Sequence, residues 1–383
     1  IDIQKAVDRL SGGIKIPTIS QMNSDKIDYT HFVNFNRYLR REFPRVFNTL
    51  ESYTINKHSL ILKWNGAQPL KKPVLFMAHM DVVPIDGQSL DQWTHPPFGG
   101  KADEEIIWGR GTMDCKGNLF AIMESVDQLI SNGFQPAQTI YIAFGHDEEI
   151  GGNEGAKKSA EYFRNNSIDF DLILDEGGGI TSGKSFGIEK AVAFVAVSEK
   201  GYMTLELVAT GTGGHSSMPK KETTIGILAN AITKLQANPL PAKLDGPTKL
   251  MFKAIGGEMS FLPRVIMANQ WLFEGLIERI FSSSPAGSAV IRTTTAPTII
   301  SGGIKDNVIP AQARAMINFR IIPGDTPEGI VKMVKDIIDD PRVEVKHPEG
   351  QFGREPAPVS DPTADQFKFL TQNIYDVFPE VVV

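Results

Sequence analysis

Three short apolar runs in the first half of the chain each end abruptly in acidic residues or histidine. Val74-Leu75-Phe76-Met77 leads into Ala78-His79-Met80-Asp81, and Ile140-Tyr141-Ile142-Ala143-Phe144 into His146-Asp147-Glu148-Glu149-Ile150-Gly151-Gly152. Phe170-Asp171-Leu172-Ile173-Leu174 leads likewise into Asp175-Glu176-Gly177-Gly178. Apolar runs of this length fit strands buried on both faces, the habit of parallel sheets covered by helices. In such sheets the chemistry collects beyond the carboxyl ends of the strands. That is where this charge would lie.

The rest of the chain supports the same class. Residues 29–42, 118–131 and 154–164 read as helices, and 73–78, 138–145 and 171–175 as strands. This alternation predicts an α/β domain with a mostly parallel sheet and helices on both faces. Near Glu199-Lys200-Gly201 the pattern changes. Met203–Val208 alternates like a half-exposed strand, a helix follows at 222–237, strands at 296–301 and 311–322, a helix at 327–338 capped by Thr326, and a strand at 342–347. Strand, helix, strand, strand, helix, strand is the ferredoxin-like order. Residues 240–295 interrupt it as an insertion with a mostly apolar helix at about 264–281, and residues 363–376 read as a final helix. The expected domains are 1–197, 198–350 and a returning segment 351–383.

At 383 residues the chain suggests about two domains. Its formal charge of −6 argues against a nucleic-acid partner, which would meet a basic face. The single cysteine, Cys115, excludes an internal disulfide framework and a cysteine zinc cluster. It reads as a small packed residue near enough to the site to be sensitive to thiol reagents. No stretch approaches the roughly 18–20 apolar residues of a membrane span. The chain opens without methionine, and exported, vacuolar and cytoplasmic locations all stay open.

Each motif has a chemical reading. In His79-x-Asp81, a carboxylate two residues from a metal-bound histidine can hold its other ring proton, although a solvated turn looks the same. Asp114 follows Gly109-Arg110-Gly111-Thr112-Met113, a tight path that could present a bridging carboxylate or simply cap the next helix. Asp147-Glu148-Glu149 are mutually repelling unless solvated or neutralised by cations, and adjacent glutamates can divide metal binding from general-base work. Of Asp175 and Glu176, alternation predicts that one faces the site, and composition does not choose between them. His215, in Gly213-Gly214-His215-Ser216-Ser217, could donate to a developing oxyanion. Asn307 and Arg320 could form a fork for a substrate carboxylate.

Together these motifs resemble the zinc metallopeptidase and amidohydrolase family of aminoacylase, succinyl-diaminopimelate desuccinylase and carboxypeptidase S. The resemblance runs in order from about Gly12 to Val383 and is strongest to the carboxypeptidase S branch, which includes N-acyl-amino-acid hydrolases. It rests on His79-x-Asp81, Gly109-Arg110-Gly111, Asp114, Glu148-Glu149, Gly214-His215-Ser216, Asn307-Val308-Ile309-Pro310 and Arg320. It implies a zinc-peptidase catalytic domain with an inserted ferredoxin-like lid and dimerisation domain, and two zinc ions per subunit, replaceable by cobalt or manganese. His79 would bind one zinc, Asp114 bridge both, Glu149 bind the other, and Glu176, or alternatively Asp175, supply a further ligand. Glu148 would be the general base, with Asp81 orienting His79. His215 would contact the tetrahedral intermediate, often from a partner subunit's lid, and Asn307 and Arg320 would hold the substrate's carboxylate.

One part of the family pattern has no match. The family's last zinc ligand is a histidine near its carboxyl terminus, and after Arg320 this chain has only His347, on an expected lid strand. The expectation is a chain that stops short of that ligand and would hold one zinc poorly. The reading is then a di-zinc hydrolase acting on a small peptide or N-acyl amino acid next to a free carboxylate, as a homodimer through the lid. Two alternatives are a zinc aminopeptidase and a metal-free, lid-mediated binding or dimerisation module.

Overall fold

The structure is a computed structural model describing residues 1–244 and 246–383. Its first compact unit, Ile1–Gly177, is built on strands β1 (Glu51–Ile55), β2 (Ser59–Trp64), β3 (Val74–His79), β4 (Ile140–Gly145) and β5 (Leu172–Leu174). They lie in the order β1-β2-β4-β3-β5. The three runs that end in charge are the three parallel neighbours, β4, β3 and β5.

The sheet is mixed rather than mostly parallel, because β1 and β2 form an antiparallel hairpin that pairs antiparallel with β4. This hairpin escapes a sequence reading. Its turn, Asn56-Lys57-His58, contains no glycine although Asn56 and Lys57 both have positive φ, so the usual turn signal is missing.

Helices α1 (Ile3–Ile14), α2 (Tyr29–Glu42), α3 (Pro44–Thr49), α4 (Lys116–Ser131) and α5 (Ala156–Asn165) cover the sheet. Successive strand residues face opposite sides. Leu60, Leu62, Ile142 and Phe144 meet Phe32, Phe35, Leu119 and Phe120 on one face. Ile61, Tyr141 and Ala143 meet Phe163 of α5 on the other. Each large side chain so buried contributes about 1.5–3 kcal/mol relative to exposure. The carboxyl ends of the strands are thus carried on a rigid platform.

The second unit, Gly178–Val383, opens with a hairpin of Gly179–Ser182 and Ala191–Phe194. Its main sheet holds β6 (Gly201–Thr210), β7 (Thr294–Gly302), β8 (Gln312–Ile321) and β9 (Val343–Lys346) in the order β7-β8-β6-β9, all antiparallel. With α6 (Thr224–Ala237) after β6 and a helix over Pro327–Ile338 after β8, this is the ferredoxin-like arrangement. Helix α6 and the later helix bury Ile227, Leu228, Ile330 and Val334 against Leu205, Leu207, Ile317 and Phe319.

The insertion differs from expectation. Instead of one helix at 264–281 it contains α7 (Gly246–Gly256), α8 (Phe261–Ala268), α9 (Gln270–Ser282) and α10 (Pro285–Ile291). The apolar pattern runs through Asn269, whose φ/ψ of −122°/45° breaks the helix. Ser284 caps α10 by accepting from the Gly287 N–H, with Pro285 in its first turn. In α11 (Pro327–Ile338) Thr326 caps as expected, accepting from the Gly329 N–H at 3.1 Å. After α12 (Asp365–Val377), Val382 pairs beside Val192, donating to the Ala191 carbonyl at 2.9 Å and accepting from the Ala193 N–H at 2.7 Å.

Candidate metal centre

The register of the parallel strands brings the acidic motifs together. His79 lies opposite Gly145 and Phe76 opposite Leu174, so the chain leaves β3, β4 and β5 at one edge. Asp114 arrives from the loop before α4. There Gly111 has φ +83°, and a Cβ on it would stand 2.5 Å from Val82 Cγ1, so glycine is required. The capping role open to Asp114 is not taken. Its carboxylate meets His79, and Cys115 occupies the cap position of α4 without a side-chain bond.

His79 is the hub. Its side chain is buried, and its Nε2 lies 2.9 Å from Asp114 Oδ1, 3.3 Å from Glu176 Oε1 and 4.0 Å from Glu148 Oε2. One donor atom each from His79, Asp114 and Glu149 falls within 4.8 Å of the others, as do those of His79, Cys115 and Glu176. Between the two candidates on the last strand end, Glu176 turns to His79, while the Asp175 carboxylate accepts the Glu176 N–H at 2.9 Å.

The three consecutive acids divide. Asp147 is buried and accepts from the Glu154 N–H at 2.7 Å, tying down the following loop. Glu148 and Glu149 stay with the cluster. Burial followed by the charge on Asp114 pushes Glu149 up to about 7, and burial raises Glu148 as well. Burial opposes a charged His79, but hydrogen bonds with Asp81 and Glu176 outweigh it and push the imidazole up to about 11. Crowded carboxylates, two of them with raised proton affinity, around one imidazole form a nitrogen and oxygen donor set that fits divalent metal. Cys115 is wholly buried, and burial raises its thiol well above the usual range. It lines the cluster in its protonated form, so the expected sensitivity to thiol reagents has no exposed thiolate behind it.

Asp81 has no exposed surface and acts on both strand ends at once. Its carboxylate accepts from the N–H groups of Glu148 at 3.0 Å and Glu149 at 3.1 Å, and from Ser20 Oγ at 2.8 Å. His79 Nδ1 lies 3.0 Å from the Asp81 backbone carbonyl and 3.3 Å from Asp81 Oδ1. Ser20 was invisible to motif reasoning, because it precedes Asp81 by sixty-one residues and its role arises from a bridge between Ile19 and Val82. Ser59, 2.6 Å from His146 Nδ1, is equally silent in sequence. So is fully buried Lys116, whose Nζ donates to the carbonyls of Gly13 and Ile16. Burial pulls that ammonium down to about 7.

The raised proton affinity of Glu149 gives a testable sign. An acid whose folded-state pKa lies above its unfolded value destabilises the fold increasingly as pH rises from about 4.5 to about 7. In metal-stripped protein, Glu149→Gln is therefore expected to raise the melting temperature by an amount that grows over that window and then levels. A gain independent of pH, in melts run with chelator, would remove the repulsion argument.

In the second unit, His215 pairs with Val308, and the Ser216 N–H donates to the Asn307 carbonyl at 3.1 Å, so His215 and Asn307 are neighbours. His215 Nδ1 accepts from the Ser217 N–H at 3.2 Å, which leaves the proton of the neutral ring on Nε2. Arg320 stands elsewhere. It pairs with Tyr202 at one end of β8, its guanidinium 4.9 Å from that ring centre, while Gln312 marks the end nearer Asn307. Eight residues of strand, about 27 Å, separate those ends. The fork expected of Asn307 and Arg320 does not form within one chain, because strand pairing, which sequence spacing does not reveal, holds them apart.

Comparison with known proteins agrees with this geometry. Residues 75–382 match the sequence model of Peptidase family M20/M25/M40. The chain is 45% identical over 386 residues to probable carboxypeptidase S-like 2 of Dictyostelium discoideum, covering 100% of this chain and 73% of the relative. It is 38% identical over 375 residues to N-fatty-acyl-amino acid synthase/hydrolase PM20D1 of Homo sapiens, covering 97% of this chain and 74% of that one. Among solved structures, the M20 family metallo-carboxypeptidase Sso-CP2 from Sulfolobus solfataricus shares the fold with a TM-score of 0.70 at 18% identity, over 98% of this chain and 85% of that one.

Proposed function

Since the chain belongs to Peptidase family M20/M25/M40 and is a metal-dependent hydrolytic enzyme, we propose that it cleaves an amide bond next to a free carboxylate, in a small peptide or an N-acyl amino acid, with two zinc ions per subunit. The observation that carries this reading is the convergence of His79, Asp114, Glu149 and Glu176 beside Glu148. His79 and Glu176 would hold one ion, Glu149 the other, and Asp114 both. When bound, the ions polarise the scissile carbonyl and lower the pKa of water from about 15.7 toward about 7.

The protein's own groups do the rest. Glu148, whose affinity for protons is already raised by burial, takes the proton of the attacking water and passes one to the leaving amine. Asp81 keeps Glu148 in place through its N–H and sets the tautomer of His79. The Nε2–H of His215 donates to the oxyanion. Asn307 and Arg320 bind the substrate carboxylate.

The distance between Arg320 and the His215–Asn307 pair argues that two copies complete one site. Strand β7 forms an edge of its sheet, with Ile299 and Ile300 each 62% exposed, and such an edge invites pairing with a second copy. If His215 acts across the dimer, mixing His215→Ala with Arg320→Ala chains rebuilds one intact site in each mixed dimer. Random pairing then restores about one quarter of wild-type turnover from two inactive proteins. No recovery would place the residues of each site within a single copy.

The substrate clamp separates this reading from an aminopeptidase, which needs no free carboxylate. Amidating the carboxyl end of a substrate removes charge-assisted hydrogen bonds, and kcat/KM is expected to fall about 10²-fold. An amidated peptide cleaved as fast as its acid would favour the aminopeptidase instead.

A further inference from the structure

Helix α9 is apolar on two sides. Phe273, Ile277 and Phe281 face the core of the insertion. Leu272, before a kink at Phe273, and Leu276 and Ile280, after it, have 60%, 43% and 51% of their surface exposed. A helix apolar on both sides belongs inside a core or against an apolar surface. Trp271, next to Leu272, and Phe261 and Leu262 of α8 are more exposed still. So large a cluster is unlike the scattered apolar residues of an ordinary surface.

Beside it lies a groove of about 440 Å³ between α7, α8 and α9. Lys249, Lys253, Arg264 and Trp271 line it over a floor that includes Phe252 and Met267. Among the described residues, none of these three cations, nor exposed Arg279 on α9, forms an ion pair, whereas Glu258 is engaged by Lys190 at 3.0 Å and Glu278 by Arg292 at 3.4 Å. Lys249, Lys253, Arg264 (which also donates to the Met259 carbonyl at 3.1 Å) and Arg279 thus outnumber Glu274, the exposed acid of α9, beside the apolar residues. Trp271 joins the two, lining the groove next to Leu272. Aromatic and leucine side chains bordered by lysine and arginine are the composition of a helix that lies in a lipid interface. No helix among the described residues is long and apolar enough to cross a membrane.

We propose that α8 and α9 dock on an anionic phospholipid surface, with Trp271, Leu272, Leu276 and Ile280 entering the headgroup boundary and Lys249, Lys253 and Arg264 facing the lipid phosphates. The test is flotation with vesicles of phosphatidylcholine alone or mixed with phosphatidylserine. The protein should float with the mixed vesicles and only weakly with the neutral ones. Trp271→Glu with Leu272→Glu, and separately Lys249→Glu with Lys253→Glu, should each weaken that binding about tenfold or more. All four side chains are exposed, so melting temperature should not change. Binding is read without turnover, and its outcome is independent of the hydrolase reading. Three outcomes would overturn the proposal: no flotation, equal flotation with both vesicles, or variants that float like wild type. If the apolar pair of substitutions instead dissociates a dimer in sedimentation, the face is a contact between copies and the lipid assignment falls.

Discussion

Glu148→Ala is expected to keep the fold and the bound metal and to lose about 10²–10⁴-fold in kcat. Its carboxylate lies 4.0 Å from His79 Nε2, and the proposed ligands are His79, Asp114, Glu149 and Glu176, so truncating it removes the proton carrier without dismantling the centre. Half of the Glu148 side chain is exposed, at 55%, and its removal should leave the melting temperature nearly unchanged. The checks are elemental analysis for zinc, a thermal melt and turnover on the same preparation. Turnover near wild type would exclude Glu148 as the base. Loss of zinc together with activity would instead make it a ligand.

Asp81→Ala is the opposite case, because it damages the framework first. Removing this buried carboxylate leaves the Ser20 hydroxyl and the N–H groups of Glu148 and Glu149 without their acceptor. Each lost partner costs about 1–3 kcal/mol when the donor stays buried. Since the two amides are only partly buried, a total destabilisation of about 3 kcal/mol is expected. His79 loses the carboxylate 3.3 Å from its Nδ1 but keeps the backbone carbonyl of residue 81 at 3.0 Å, so zinc affinity should fall about tenfold, the low end for partners of metal-bound histidines. Isothermal titration with zinc and denaturant unfolding measure the two effects separately. Unchanged zinc affinity would show that Asp81 supports the turn alone.

Much of the catalytic unit was legible because a buried parallel strand leaves an unambiguous trace, an apolar run cut off by charge. His79, Glu148 and the Asp175-Glu176 pair could be nominated from that trace alone, and the register then set these strand ends side by side. What stayed hidden depends on pairing between distant segments. Nothing near Ser20 signals its bond to Asp81, and nothing near Lys57 signals a turn with positive φ. That the Glu176 carboxylate bends toward His79 is a matter of backbone path and not of composition. The insertion misled for a different reason. Apolar periodicity continues across Asn269, and only the backbone there shows that two helices meet. For Asn307 and Arg320, strand order decides the outcome, and order is not written in residue spacing.

The parallel pairing of β3 with β4 has a consequence for how the molecule is made. His79 and Gly145 are joined in register only after the whole crossover through α4 has been synthesised, and Glu176 follows one further helix and strand later. Contacts between segments so far apart form late, since the intervening chain must first be closed into a loop. A growing polypeptide on the ribosome therefore carries His79 and Asp114 exposed to solvent for many residues of synthesis before Glu149 and Glu176 emerge. During that interval it has isolated donors rather than a chelate. Until the third acidic strand end has left the ribosome, the donor set that fits divalent metal is incomplete.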